Sequence, residues 1–204
     1  HRMDITWETD VKAASSISWG IHPDKLKQNK NLGDSSVMHH ACLKELEKGQ
    51  TYYYQISNNQ AVSEVYSFKT NEGDSVFNFT MWGDPQNGWP VFRQNINSMM
   101  QDPIDFSIGL GDYVNNGAFP QRWHQFMTEL HPLSSKIPVY FIPGNHDYDG
   151  FYNDLKNPYY HKYMGWGKDH YYQAWSYGNA RFVVLDPNQY FPLSIPDTSR
   201  HYKW

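Results

Sequence analysis

Between residues 4 and 70 apolar and polar positions alternate with a period of two. Ile5 and Trp7 alternate with Thr6 and Glu8, and Ile17, Trp19 and Ile21 with Ser16, Ser18 and Gly20. Val37, His39, Ala41 and Leu43 share one face of a third run. Tyr52, Tyr54 and Ile56 share a face of a fourth, and Val65 to Phe68 gives a fifth. A period of two marks strands with one buried face. Clusters such as His22-Pro23-Asp24 and Lys30-Asn31-Leu32-Gly33-Asp34 separate the runs, and short strands at this spacing predict a β-sandwich. Leu46, Gly49 and Tyr52 have the spacing of a tyrosine corner, in which the hydroxyl bonds back to the backbone of the preceding turn.

The segment 70–75 is polar and turn-rich, which sets a first domain at 1–70, a linker at 71–75 and a second domain at 76–204. The pattern then changes. Residues 76–82 form an apolar run, and Phe92, Ile96, Met99 and Met100 follow Pro90 at helical spacing. Residues 104–110 form a second strand. Trp123, Phe126, Met127 and Leu130 mark a helix begun near Pro120, with His131 at its end. Residues 137–142 form a third strand. Strands alternating with helices predict βαβ units and a parallel sheet. Residues 171–177 and 180–185 flank Gly178-Asn179 and predict an antiparallel hairpin.

Composition narrows the classes. Aromatics reach 17% against 39% hydrophobic residues in all, so Trp, Tyr and Phe are expected to supply much of the core. A net charge of −4 without a Lys/Arg cluster argues against a nucleic-acid-binding surface. No apolar run approaches the roughly 18 residues of a membrane span. Cys42 is the single cysteine, which excludes an internal disulfide framework and a cysteine-based zinc site. Its place in a strand suggests a small buried hydrophobe. Association of a small sandwich with an aromatic-rich enzyme favours an extracellular or periplasmic location.

Each expected parallel strand is followed by the same polar punctuation. The first ends in Gly83-Asp84-Pro85-Gln86, the second in Gly111-Asp112-Tyr113-Val114-Asn115, and the third in Gly144-Asn145-His146-Asp147. Ligand sites of such sheets lie outside the carboxyl ends of the strands, so Asp84, Asp112 and Asn145 are expected to converge. The glycine before each lets the backbone turn sharply. Two carboxylates brought together repel unless a cation lies between them, and hard cations take oxygen donors of this kind. A carboxylate shared by two metals is a natural use of the middle Asp112, and a metal pair suits in-line phosphoryl displacement. A lone Gly-Asp is as readily a cap or turn. Three such ends, 28 and then 33 residues apart, point to a metal site.

On these motifs residues 76–204 resemble the calcineurin-like metallophosphoesterase family, and the whole chain resembles its purple acid phosphatase-like branch. The stretch YYQAWSYGNARFVVLD is similar to the hairpin that follows the family's third motif. The resemblance implies a fibronectin type III-like all-β sandwich followed by an α/β (αββα) domain. It also implies a dinuclear site of iron, zinc or manganese acting on a small-molecule phosphate ester. By position it implies Asp84 as a ligand of the first metal, Asp112 as the bridging carboxylate and Asn145 as a ligand of the second. His146 corresponds to the unliganded histidine near the leaving-group oxygen, with Asp147 orienting it.

The chain departs from the family pattern in two ways. Most members place a histidine two residues after the first Asp, where this chain has Gln86. Purple members carry a tyrosine three residues after the bridging Asp, where this chain has Asn115 and Tyr113 falls one residue after. A tyrosinate–iron colour is therefore not expected, and Gln86 or Asn115 become candidate ligands of the first metal. The family's later histidine motifs are absent after His146, so the chain reads as an incomplete member. A non-catalytic module that keeps the fold stays open as an alternative, as does the choice between monoesterase and diesterase. His39 and His40 read as strand residues and His124 and His131 as helix residues. Among the loop aromatics Trp89, Tyr113, Phe119, Tyr148 and Phe151, packing is set against stacking on a substrate ring.

Overall fold

Eleven strands and three helices carry the chain among the described residues. The computed structural model describes residues 1–204 other than 34, 60, 74, 75, 149–157, 165–171, 187, 189–196, 199–202 and 204. The chain divides into two compact units, residues 1–74 with 135–138 and residues 75–134 with 139–204.

The first unit is built from two antiparallel sheets. β1 (Met3–Ala13) pairs with β4 (Ser36–Leu43), with Trp7 opposite His39. The second sheet has the order β3-β2-β5-β6, from β2 (Ser15–Gly20), β3 (Gln28–Asn31), β5 (Thr51–Asn58) and β6 (Tyr66–Lys69). The alternating apolar positions meet in one core of Ile17, Ala41, Leu43, Leu46, Tyr52, Tyr54 and Phe68. Burying a side chain of this size contributes about 1.5–3 kcal/mol. The Tyr52 hydroxyl accepts the Glu47 amide at 3.0 Å, which is the tyrosine corner expected from the spacing. β3 was not expected, because its residues lie where the polar pattern suggested a separator. All four of its side chains are exposed on an edge strand, so no buried face imposes an alternation.

The second unit centres on a parallel sheet of order β7-β8-β9, from β7 (Phe79–Trp82), β8 (Phe106–Gly109) and β9 (Val139–Phe141). The strands are shorter than the apolar runs, and Val76 and Leu110 are exposed. α1 (Trp89–Met99) starts with Pro90 in its first turn, where the absent N–H removes no helical bond. It buries Trp89, Phe92 and Ile96. α2 (Pro120–Ser134) buries Trp123, Phe126, Leu130 and Leu133 and runs on through Pro132, beyond the end expected at His131. Trp82 packs on Phe92 at 4.9 Å between ring centres, and Phe126 stacks on Tyr113 at 5.0 Å. These rings join the helices to the sheet.

Phe106 and Tyr140 meet the hairpin of β10 (Tyr172–Tyr177) and β11 (Ala180–Leu185), Phe106 through Tyr177 at 4.6 Å and Tyr140 through Trp175 at 4.0 Å. α3 (Pro158–Met164) was not foreseen. Its Tyr160 and Tyr163 are buried against Trp123.

Candidate metal centre

Register brings the three strand ends level. Trp82 lies beside Gly109, and Gly109 beside Phe141, so the loops carrying Asp84, Asp112 and Asn145 leave the sheet along one edge. The strand order puts the Asp112 loop in the middle. A cleft of about 290 Å³ opens there. Asp84, Asp112 and Asn145 all line it, together with Leu110, Gly111, Ile142, Pro143, Gly144 and Asn188. No lysine, arginine or histidine is among these lining residues. Two carboxylates face a shared space with amide side chains beside them and no basic side chain among the described lining residues to balance them. That donor set suits a hard metal cation. Among the described residues no three His, Cys, Asp or Glu side chains are grouped to hold a metal, and the oxygen donors beside the two carboxylates there are the amides of Asn145 and Asn188.

The backbone at the site is strained at the two acids themselves. Asp84 has φ of 52° and Asp112 φ of 55°, in the left-handed region that non-glycine residues seldom enter. The preceding glycines do different work from the sharp turns expected of all three. Gly83 shows no positive φ. Gly111 has φ of 99°, and a Cβ there would overlap the Gly144 backbone. A Cβ on Gly144 would overlap the Asp112 carboxylate. Glycine at 144 is thus a matter of close approach between loops.

Asp147 is fully buried and ties the loops together. One of its oxygens accepts the amides of Asp112 at 2.9 Å and Gly144 at 2.8 Å, and the other accepts the Tyr113 amide at 2.8 Å. Complete burial pushes its carboxyl well above the usual range, and the amides of Gly144, Tyr113 and Val114 act against that rise. Asp147 was expected to orient His146. Its oxygens instead go to these backbone amides, because the short 3₁₀ turn 145–147 aims the side chain back under its own loop.

His146 is held by other atoms. Its amide donates to Asp112 Oδ1 at 2.9 Å, and its Nδ1 lies 3.0 Å from the Asn115 carbonyl. A carbonyl only accepts, so Nδ1 carries the proton of this bond. This bond leaves Nε2 uncommitted, and His146 itself is not among the residues that line the cleft. The Gln86 Oε1 and Asn115 Oδ1 atoms are buried without a hydrogen-bond partner, as buried side-chain oxygens seldom are.

Tyr113 points away from the cleft. It is fully buried, and its hydroxyl donates to the carbonyls of Gly109 at 2.6 Å and Ile142 at 2.8 Å, while accepting the Ile142 amide at 3.0 Å. Burial pushes this phenol well above its ordinary value. Trp89 and Tyr148 are also buried, Phe119 is 54% exposed, and Phe151, His170 and His201 lie outside the described residues. His39 stacks on Trp7, and His40 contacts Asp4 in the first unit.

The sequence pattern passed over Asn188. It follows β11 in an Asp-x-Asn sequence, polar punctuation after an apolar strand like that at the three other strand ends.

The model of the family described as calcineurin-like phosphoesterase matches residues 77–204, and that of the purple acid phosphatase N-terminal domain matches residues 1–70. The chain is similar to acid phosphatase type 7 of Danio rerio, with 23% identity over 99% of this chain and 49% of that one. It is also similar to probable inactive purple acid phosphatase 9 of Arabidopsis thaliana, with 28% identity over 53% of this chain and 20% of that one. Among solved structures it resembles a purple acid phosphatase from yellow lupin seeds, with a TM-score of 0.76, 18% identity, and coverage of 99% of this chain and 44% of that one. The chain thus spans about half or less of the length of these relatives.

Proposed function

Because the chain belongs to the calcineurin-like phosphoesterase family, we propose that its second unit contributes to a dinuclear centre that hydrolyses phosphate esters. The observation that carries the proposal is the level edge at which Asp84, Asp112 and Asn145 line one cleft, with no basic side chain among its described lining residues. By position Asp84 would hold the first cation and Asn145 the second, and Asp112, on the middle loop, would serve both. The orphaned oxygens of Gln86 and Asn115 are the further donors that would complete the first cation's shell. Iron, zinc and manganese are the candidate ions, and Tyr113, committed to backbone bonds, gives no tyrosinate colour.

When bound, such a pair activates water and neutralises charge on the phosphate. This chain's residues then do the rest. Asp147 fixes the loop amides that set Asp112 and Asn145. The Asn115 carbonyl fixes the His146 ring through Nδ1–H, and a second proton on Nε2 would make the ring an imidazolium able to hydrogen-bond to the leaving-group oxygen and pass that proton to it. The same reading includes a small-molecule phosphate ester as substrate, a linker at 71–75 between the domains, and a location outside the cytoplasm.

Metal analysis of the purified protein and its Asp112→Ala and His146→Gln variants tests the proposal. Two equivalents of metal are expected in the wild type. Asp112→Ala should lose them, whereas His146→Gln should keep them and lose about 100-fold or more in turnover of an aryl phosphate. A protein with no bound metal and no turnover supports the second reading, a non-catalytic module, to which Gln86 and Asn115 at the positions of the family's usual ligands lend weight.

A further inference from the structure

We infer that Asn188 is a further oxygen donor to the cation site, aimed into the cleft by a buried Tyr148–Asp186 pair. The inference rests on the metal reading above. Asn188 lines the same cleft as Asp84, Asp112 and Asn145. Its Nδ2 lies 2.7 Å from Asp186 Oδ1 and 3.3 Å from the Pro143 carbonyl. Both neighbours are acceptors, so chemistry puts the nitrogen, not the oxygen, of the amide at that end. The carbonyl oxygen is therefore turned to the other side. The Asn188 backbone amide also donates to Asp186 Oδ1, at 2.9 Å, so the residue is pinned at two points. Asp186 is itself 1% exposed, and its second oxygen accepts the Tyr148 hydroxyl. Tyr148 is buried immediately beyond Asp147, in the loop that carries Asn145. The hairpin strand β11 and the loop after β9 are thereby joined through one carboxylate, and the join sets where the Asn188 amide sits.

A neutral amide oxygen cannot donate to a phosphate oxygen, but it is a good ligand for a hard cation and a good acceptor for the waters such a cation carries. With Asp84, Asp112 and Asn145 it makes an oxygen-only wall, suited to Mn²⁺ more than to softer ions. Asn188 is a binding residue in this assignment, and Asp186 and Tyr148 are positioning residues.

Titration calorimetry with Mn²⁺ tests it on the wild-type protein and on Asn188→Ala, Asn188→Gln, Tyr148→Phe and Asp112→Ala, alongside each protein's metal-free melting midpoint. Asn188→Ala should weaken Mn²⁺ binding about tenfold, the size of effect seen when a supporting group of a metal site is removed. Its metal-free midpoint should stay near that of the wild type. Asn188→Gln, which moves the oxygen by one methylene, should weaken binding too. Tyr148→Phe should shift affinity the same way by a smaller factor. If both Asn188 variants bind Mn²⁺ as the wild type does while Asp112→Ala loses it, the assignment of Asn188 fails and the metal reading stands. If Asp112→Ala also binds as the wild type does, the metal reading itself fails.

Discussion

Single residues here answer for particular bonds. Both oxygens of Asp147 accept backbone amides, which favour the ionised carboxylate while burial opposes it. Asp147→Asn would turn an NH₂ group toward N–H donors. A loss of about 2–4 kcal/mol in urea unfolding is expected, and a variant as stable as the wild type would mean the carboxyl is neutral in the fold. His39 offers a pH prediction. Burial lowers its folded value below the ordinary one, with the Ser36 backbone pulling weakly the other way. The folded ring thus binds protons less readily than the unfolded ring. Its contribution to stability is fully present above about pH 6.5 and is lost as pH falls toward the folded value. Urea midpoints at about pH 7.5 and about pH 5.5 should fall more for the wild type than for His39→Gln.

At the level of elements, the ends of strands differ in what they tolerate. Gly111→Ala would hold alanine at φ of 99° against the Gly144 backbone, and should lose about 2–3 kcal/mol together with metal binding. Gly83→Ala meets nothing nearer than the Leu110 Cβ at 3.4 Å and should be tolerated, so thermal melts of the pair give the contrast. Equal losses would refute the account. Tyr52→Phe should remove one bond of the corner, worth about 1 kcal/mol by urea unfolding. These elements were legible to unequal degrees. Strands with one buried face announced themselves by alternation, and the corner by three residues at fixed spacing. β3 did not, since its Gln28–Asn31 side chains are all exposed and nothing patterns them. The partner of His146 was hidden too, because a backbone carbonyl leaves no trace in residue type. Asn188 was hidden for want of a rule linking a hairpin's end to the three strand ends, although its residue type gave a hint.

For the molecule as a whole, metal and stability should be linked. A ligand that binds only the folded state at 100 times its dissociation constant adds about 2.7 kcal/mol. Calorimetry of the wild type with and without Mn²⁺ should show the melting midpoint rise, and a chelator should return it to the starting value; an unchanged midpoint would count against a cation site. The fold of both halves was readable from periodicity and motif, by alternation in the half-buried strands of the first unit and by apolar runs in the second, whose β8 is buried on both faces. The site was readable as residue types at strand ends but not as geometry, since register and the left-handed backbone at Asp84 and Asp112 leave no mark in composition. One feature carries further than the chemistry it serves. The loops after β8 and β9 are laced through main-chain amides to a single sunken acid, so the identity at 115 can drift while that part of the scaffold keeps its outline. A lineage could shed catalysis and retain the silhouette, and an engineer could exchange Gln86 for histidine to retune ion preference on an unaltered chassis.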